Sequence, residues 1–365
     1  MLPRDPPSES RPLKSILTPR IALVGCNGNH SFLWARRIPP QTDAAVPGQR
    51  HPSRQRLKQH WKTNMKQQIG FVGLGAMGSG MAANIVAKGW PLTVWAHRNQ
   101  EAALKLVSAG ARQAATPRAL AEGCDIVLLC VTGSPQVEAV VKGPQGLAAS
   151  GKPLLIVDCS TSNPSSTIAL AAELAAKGVT LIDAPLARTP KEAAEGKLDV
   201  MVGGAAEAVA RARPVLEAFA ARIVHTGPTG SGHTMKLLNN FISMGYSAIY
   251  SEALTLGAKA GLTPQVFNSV ISGSRMDCGF YQAFFDFVLN RNENAQRFAI
   301  ANALKDMTYL ASFAQAAGIA NPVGAVVRNG FATAVATGHG ERFVPALSDI
   351  VAGLNGVSLN EVAAE

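Results

Sequence analysis

The sequence predicts an α/β domain on a parallel sheet, one long connecting helix and an all-α C-terminal domain, behind a basic N-terminal extension. Three observations carry this expectation. Residues 68–99 read strand, glycine turn, helix, strand. Beyond them, β-rich apolar runs alternate with helical segments as far as His225, the pattern of right-handed βαβ units with helices on both sheet faces. From about Gly232 the strand signal stops and helical sequence dominates.

The extension accounts for most of the charge. Residues 1–64 hold eleven Lys/Arg against three Asp/Glu, within a chain whose net charge is +10. The body is therefore nearly neutral, which argues against nucleic acid or a membrane surface as its partner. Pro-rich and without amphipathic period, the extension is expected to be disordered. Three origins stand open: an organellar transit peptide, a polyanion-binding arm, or translated upstream sequence with the natural start at Met65. The last is favoured, because Met65-Lys66-Gln67-Gln68 leads straight into the first strand and the prolines disfavour a transit peptide's amphipathic helix. Five cysteines without a C-x-x-C pair point to a reducing, cytoplasmic setting and against a disulfide frame or a metal site. No apolar run approaches the length of a membrane span.

In the body, Ile69, Phe71 and Val72 open the first strand, and Gly73-Leu74-Gly75-Ala76-Met77-Gly78 fits G-x-G-x-x-G. Gly73 permits the tight turn, Gly75 lets the backbone approach a pyrophosphate, and Gly78 lets the helix pack close on the strand. Helix follows at 81–88, Gly89 ends it, and 92–95 form a second strand. Helices are expected at 101–108, 134–141, 165–177 and 205–220, and strands at 125–131, 154–157, 180–182, 200–202 and 222–225. This makes residues 65–229 a Rossmann-type dinucleotide-binding domain. The connecting helix occupies 230–262, with Gly261 as its stop. The helical domain, 263–365, opens at Thr263-Pro264 with Thr as cap and continues through helices at 296–317, 324–336 and 346–352.

The coenzyme follows from the end of the second strand. NAD sites usually place Asp or Glu there to bond the ribose hydroxyls, but no acidic residue occurs between Gly78 and Glu101. His97 and Arg98 stand there instead, and an arginine fork suits a 2′-phosphate. NADP is favoured and NAD kept open; the bland alternative is that the two residues merely cap the next helix. Val131 and Thr132, after a strand, fall where loops line the crevice at the sheet's carboxyl edge.

Four ordered blocks then carry a family resemblance: the glycine turn, Asp158-Cys159-Ser160-Thr161-Ser162-Asn163-Pro164, the loop from Asp183-Ala184-Pro185 to Gly203-Gly204, and Gly232-His233-Thr234-Met235-Lys236-Leu237-Leu238-Asn239-Asn240. Over residues 65–359 the chain resembles the β-hydroxyacid dehydrogenases, relatives of 3-hydroxyisobutyrate dehydrogenase and tartronate semialdehyde reductase. The resemblance implies an NAD(P)-dependent oxidoreductase acting on a hydroxyl β to an acid group, assembled as a homodimer or homotetramer. It implies Lys236 as the catalytic residue, and oxidation independently demands a base for the hydroxyl proton as hydride leaves. Thr161 and Lys305 match coenzyme contacts. Ser160, Ala187, Arg188 and Thr189 fall at substrate positions, and Asn239 and Asn240, one helical turn beyond Lys236, are placed either to orient the lysine or to bond the substrate.

One block departs from the family. Where relatives usually show Ser-Gly-Gly, this chain has Ala187-Arg188-Thr189. An Arg-Thr pair resembles the sulfolactaldehyde reductase branch, so Arg188 is expected to anchor a carboxylate or sulfonate with Thr189 assisting. The bland alternative pairs Arg188 with Glu192 or Glu195. Ser272-Gly273-Ser274-Arg275 is a further candidate for the pocket wall. A reading from another class, a non-catalytic dinucleotide-binding scaffold, is disfavoured by the presence of Lys236.

Overall fold

The computed structural model describes residues 66–360; the basic extension, with the expectations about its disorder and origin, lies outside the described residues. The chain runs β1 (Ile69–Val72), α1 (Gly78–Ala87), β2 (Leu92–Trp95), α2 (Gln100–Ser108), β3 (Arg112–Gln113), α3 (Pro117–Gly123), β4 (Ile126–Leu129) and α4 (Ser134–Lys142). It continues with β5 (Leu154–Asp158), α5 (Pro164–Ala175), β6 (Val179–Asp183), β7 (Leu186–Ala187), α6 (Pro190–Glu195), β8 (Leu198–Gly203), α7 (Ala206–Leu216) and β9 (Ala220–Gly227). Helices complete it: α8 (Ser231–Lys259), α9 (Pro264–Ile271), α10 (Gly279–Asn290), α11 (Ile300–Ala316), α12 (Pro322–Ala336) and α13 (Leu347–Leu354).

The strands form one sheet in the order β3-β2-β1-β4-β5-β6-β8-β7, with β9 on β8. From β3 to β6 every pairing is parallel. β1, β4 and β5 are buried along their whole length, as central strands covered on both faces must be. Adjacent residues serve opposite layers: Phe71 packs with Met81, Ile85 and Leu128 on one side, and Val72 with Leu120, Leu129 and Ile156 on the other. Because β1 lies between β2 and β4, successive crossovers leave in opposite directions. The crevice this opens beyond the carboxyl ends of β1 and β4 is where such folds bind ligands.

The sheet is not wholly parallel. β8 runs antiparallel to β6 and to the two-residue β7; the strand pattern announced β6 and β8, but not β7 or the reversal of direction. A parallel return needs a helix long enough to cross the face of the sheet, whereas the stretch between β6 and β8 is taken up by β7 and the six-residue α6. The stretch from Asp183 to Gly203 thus becomes a fold-back beside the crevice rather than a crossover behind it.

α8, 29 residues long, joins the two parts. No side chain of its own caps its start, where Gly230 takes φ +93°. Asp183, at the end of β6 and fully buried, does so from a distance. Its Oδ1 accepts the Gly230 N–H at 2.6 Å and its Oδ2 the His233 N–H at 2.7 Å. These are two of the donors a helix start leaves without intrahelical partners, and a carboxylate there also meets the positive end of the helix dipole. The His233 ring, equally buried, lies 2.8 Å from Thr167 Oγ1 and 3.1 Å from the Ser160 carbonyl oxygen. Asp183→Ala orphans both donors and should destabilise the fold by roughly 2–5 kcal/mol, read as a lower urea midpoint at unchanged slope; a midpoint equal to wild type would contradict the remote cap.

Candidate active site

At the crevice, each glycine of the turn meets a different constraint. Gly73 has φ +99°, and a Cβ there would lie 2.1 Å from the Cys130 carbonyl oxygen. A Cβ on Gly78 would lie 1.9 Å from the Gly73 carbonyl oxygen, whereas one on Gly75 would meet nothing within 4 Å. Gly75 therefore faces open cavity. No side chain caps α1, so its first N–H groups remain available to an anion. These residues fit a dinucleotide pyrophosphate.

At the end of β2, Asn99 caps α2, accepting the Ala102 N–H at 3.1 Å and donating to the Leu74 carbonyl at 2.8 Å. The capping alternative for His97 and Arg98 therefore falls away. Both are exposed, both line the cavity, and neither forms an ion pair among the described residues. The loop after β5 is shaped by Asp158, which accepts the Ser160 N–H at 2.9 Å and the Ser162 hydroxyl at 3.0 Å. Ser160 Oγ in turn accepts the Val131 N–H at 3.0 Å, tying the ends of β4 and β5 together.

Lys236, Asn239 and Asn240 enter from the first turns of α8. Asn240 Nδ2 donates at 2.7 Å to Oδ2 of Asp306 on α11, a carboxylate 1% exposed. Its Oδ1 lies 3.0 Å from Lys305 Nζ, close enough to pair but out of line for a hydrogen bond. Lys305 Nζ spends its donors on the carbonyl oxygens of Thr132 (2.7 Å) and Thr161 (3.1 Å). One lysine thus fastens the helical part to both crevice loops. Lys236 is half-buried. Burial pushes its ammonium below the ordinary 10.5, and the Lys305 charge adds to that while Asp306 opposes it. Desolvation disfavours the charged form of an amine, which is the direction a proton-exchanging lysine requires.

On the substrate loop, Arg188 holds φ +82°, a conformation glycine adopts freely and other residues at a cost. That backbone here carries a guanidinium. Its partner is neither Glu192 nor Glu195: Nε lies 3.2 Å from Oδ2 of Asp199 on β8. Thr189 caps α6 in a capping box with Glu192, so its hydroxyl is already engaged. Hydrogen bonding from Thr189, more than the Arg188 charge, holds the Glu192 carboxyl below its usual range.

All these groups line one cavity of about 1700 Å³: the glycine turn from Gly73 to Gly78, His97, Arg98, Val131, Thr132, Ser160, Thr161, Ala187, Arg188, Thr189, Lys236, Asn239, Asn240 and Lys305. Residues 272–275 do not reach it; Gly279, Phe280, Ala283 and residues 295–299 form that wall. Sequence reasoning left Asp306, Asp183 and His233 without a role. Asp306 directly follows Lys305 in the chain, and that adjacency was the available signal. No group of three or more metal-ligating side chains suited to a metal ion occurs among the described residues.

A dinucleotide crevice sharing its cavity with a half-buried lysine defines a nicotinamide-dependent oxidoreductase, and the comparisons agree. Residues 68–227 match the model for the NAD binding domain of 6-phosphogluconate dehydrogenase. Residues 230–347 match that for NAD-binding of NADP-dependent 3-hydroxyisobutyrate dehydrogenase. The 3-hydroxyisobutyrate dehydrogenase of Pseudomonas aeruginosa is 38% identical over 271 residues, 72% of this chain and 90% of that protein. The 3-sulfolactaldehyde reductase of Escherichia coli is 32% identical, over 75% of this chain and 92% of its own length. The structure of Mycobacterium tuberculosis 3-hydroxyisobutyrate dehydrogenase with L-serine superposes with TM-score 0.71 at 26% identity, covering 79% of this chain and 99% of that one. The chain belongs to the β-hydroxyacid dehydrogenase family, and it is an NAD(P)-dependent hydroxyacid oxidoreductase acting on CH–OH groups.

Arg188 also yields a stability prediction. Arg188→Gly and Arg188→Ala both lose the half-exposed Asp199 pair, worth about 0–1 kcal/mol. Arg188→Gly also relieves backbone strain of roughly 1–2 kcal/mol against roughly 0.5–1 kcal/mol of added unfolded-state entropy, whereas Arg188→Ala keeps the strain, so its Tm should fall below that of Arg188→Gly in a calorimetric scan; the reverse order would show the backbone to be unstrained.

Proposed function

We propose that the chain interconverts a small β-hydroxy acid and its semialdehyde or keto form, with Lys236 exchanging the hydroxyl proton and Arg188 anchoring the acid group. The observation that carries this is a half-buried lysine, its ammonium destabilised by burial, in the same cavity as an uncapped glycine turn. A nicotinamide dinucleotide bound at that turn supplies the hydride acceptor or donor. As the hydroxy acid is oxidised, the carbinol C–H bond breaks with both electrons leaving as hydride, and the O–H proton passes to the neutral amine of Lys236. In reduction the Lys236 ammonium stabilises the developing alkoxide and returns the proton.

Asn240, fixed by Asp306, steadies Asn239, whose Nδ2 donates to Asn240 Oδ1 at 3.2 Å; Asn239 is thereby set to bond the substrate hydroxyl. Ser160 and Ala187 complete the substrate wall, with Thr189 contributing position through its cap. The glycine turn, Val131, Thr132, Thr161 and Lys305 hold the coenzyme, and His97 with Arg98 favour the 2′-phosphate of NADP. The guanidinium on the substrate loop also supports a second reading, reduction of a sulfonate-bearing aldehyde as in the E. coli relative's name.

Met235, Leu238, Ile242, Ile249 and Leu256 are exposed along one face of α8, at successive spacings of three, four, seven and seven residues. This seam supports a homodimer or homotetramer, which a monomer mass in light scattering would rule out. Cys124, Cys130, Cys159 and Cys278 are unbridged, in keeping with a cytoplasmic setting. No helix among the described residues is long and apolar enough to cross a membrane.

The test is a panel of succinic, tartronic and methylmalonic semialdehydes and sulfolactaldehyde with NADPH and NADH. At least one should turn over, with NADPH preferred, and Lys236→Met should lower kcat by about 10²–10⁴-fold at unchanged coenzyme affinity. For oxidation, which needs the neutral amine, kcat/KM should rise with pH through an inflection below 10.5; for reduction, which needs the ammonium, it should fall. Undiminished turnover in Lys236→Met would overturn the mechanism.

A further inference from the structure

Two locally unfavourable features stand side by side on β7 and β8. Arg188 occupies a left-handed backbone conformation. Its register neighbour Asp199, opposite Ala187 across the β7–β8 pair, keeps one carboxylate oxygen, Oδ1, buried with no hydrogen-bond partner. Neither is explained by stability, since strain and a bare acceptor both work against the fold. Such rule-breaking clusters where function demands it.

The geometry gives each a part. Arg188 lines the cavity, whereas Asp199 does not; it stands behind the guanidinium, its Oδ2 3.2 Å from Nε. Contact on the Nε edge leaves the terminal nitrogens, which have no partner among the described residues, for an incoming acid group. A planar or tetrahedral anion meeting that fork therefore meets Asp199 as well, one guanidinium width further back. Glu192, held anionic by Thr189 and within reach of the Arg188 charge, adds a second negative field. Lys236 opposes from across the cavity.

We infer that Asp199 is a specificity-determining residue, a fixed counter-ion that restricts the pocket to acid groups carrying one negative charge and turns away phosphate-type dianions. The inference rests on Arg188 as the anchor. At this separation a full charge on Asp199 penalises the second negative charge of a ligand by about tenfold in affinity at the effective dielectric of a protein surface. Carboxylate and sulfonate remain admissible, whereas a phosphate or phosphonate ester of the same shape does not.

The experiment compares isosteres that differ in charge. The NADP⁺-loaded protein is titrated calorimetrically at pH 8.5 with 2-hydroxyethanesulfonate, a monoanion, and with 2-hydroxyethylphosphonate, chiefly a dianion at that pH. Wild type should prefer the sulfonate. Asp199→Asn keeps the size of the side chain and removes its charge, and should shift the ratio about tenfold toward the phosphonate. A merely structural role would move both affinities together and leave the ratio alone. If Asp199→Asn does not fold, wild type alone answers: between pH 6 and 8.5 its affinity for the phosphonate should fall as that ligand gains its second charge, with the sulfonate as control. A rise would overturn the inference. Arg188→Ala should weaken both probes by tenfold or more; if it changes neither, or if wild type binds neither, the anchor reading itself fails. If Arg188→Ala weakens both while Asp199→Asn leaves the ratio unmoved, only the counter-ion role falls.

Discussion

The bond that most of this architecture depends on is the pair of N–H donations from Gly230 and His233 into the buried Asp183 carboxylate. A 29-residue helix has a free choice of direction at its first turn unless something fixes it. Asp183 closes β6, so its carboxylate is as rigid as the sheet. The helix start inherits that rigidity, and Lys236, one turn in, inherits it again. His233 adds a second tie to the loop after β5. The start of the helix that carries Lys236 is thus set by main-chain hydrogen bonds, the rigidity that the proposed proton exchange, sensitive to displacements of an ångström, would need.

The opposite wall is built in a different currency. Asp306 and Lys305 bring a buried charge pair from α11 to meet the loops after β4 and β5. Such a pair is poor evidence of stability, because desolvation offsets attraction; its value lies in placement. It orients Asn240 and sets the field around Lys236, where Lys305 lowers the amine's proton affinity and Asp306 restores some of it. A lysine given burial alone would be a reluctant cation throughout. Given Asp306 as well, it can return a proton when an alkoxide forms.

What could be read in the sequence was local. G-x-G-x-x-G between a strand and a helix announces its own geometry, and Thr263 before Pro264 caps a helix as its type suggests. The two-residue β3, the short α3 and the antiparallel direction of β8 were not visible, because each is decided by pairing or packing rather than by period. α10 was legible but passed over. GFYQAFFDFVLN buries Tyr281, Phe284, Phe285 and Val288 at the i, i+3, i+4, i+7 spacing of an amphipathic helix. At the site, residue types were legible and partners were not. Asp183 and Gly230 lie 47 positions apart, and Asn240 and Asp306 lie 66 apart. Arg188 could be singled out for breaking the family's pattern, but the strand register that sets it beside Asp199 exists only in the folded chain.

The central claim is that this fold holds one amine partly out of water so that it can lose and regain a proton. Its most direct test is an NMR titration of lysine side chains labelled at Cε and Nζ, with the Lys236 resonance assigned by its disappearance in Lys236→Met. The account predicts a midpoint below 10.5. A midpoint at or above that value would mean that Asp306 outweighs burial, and would contradict Lys236 as the proton-exchanging group.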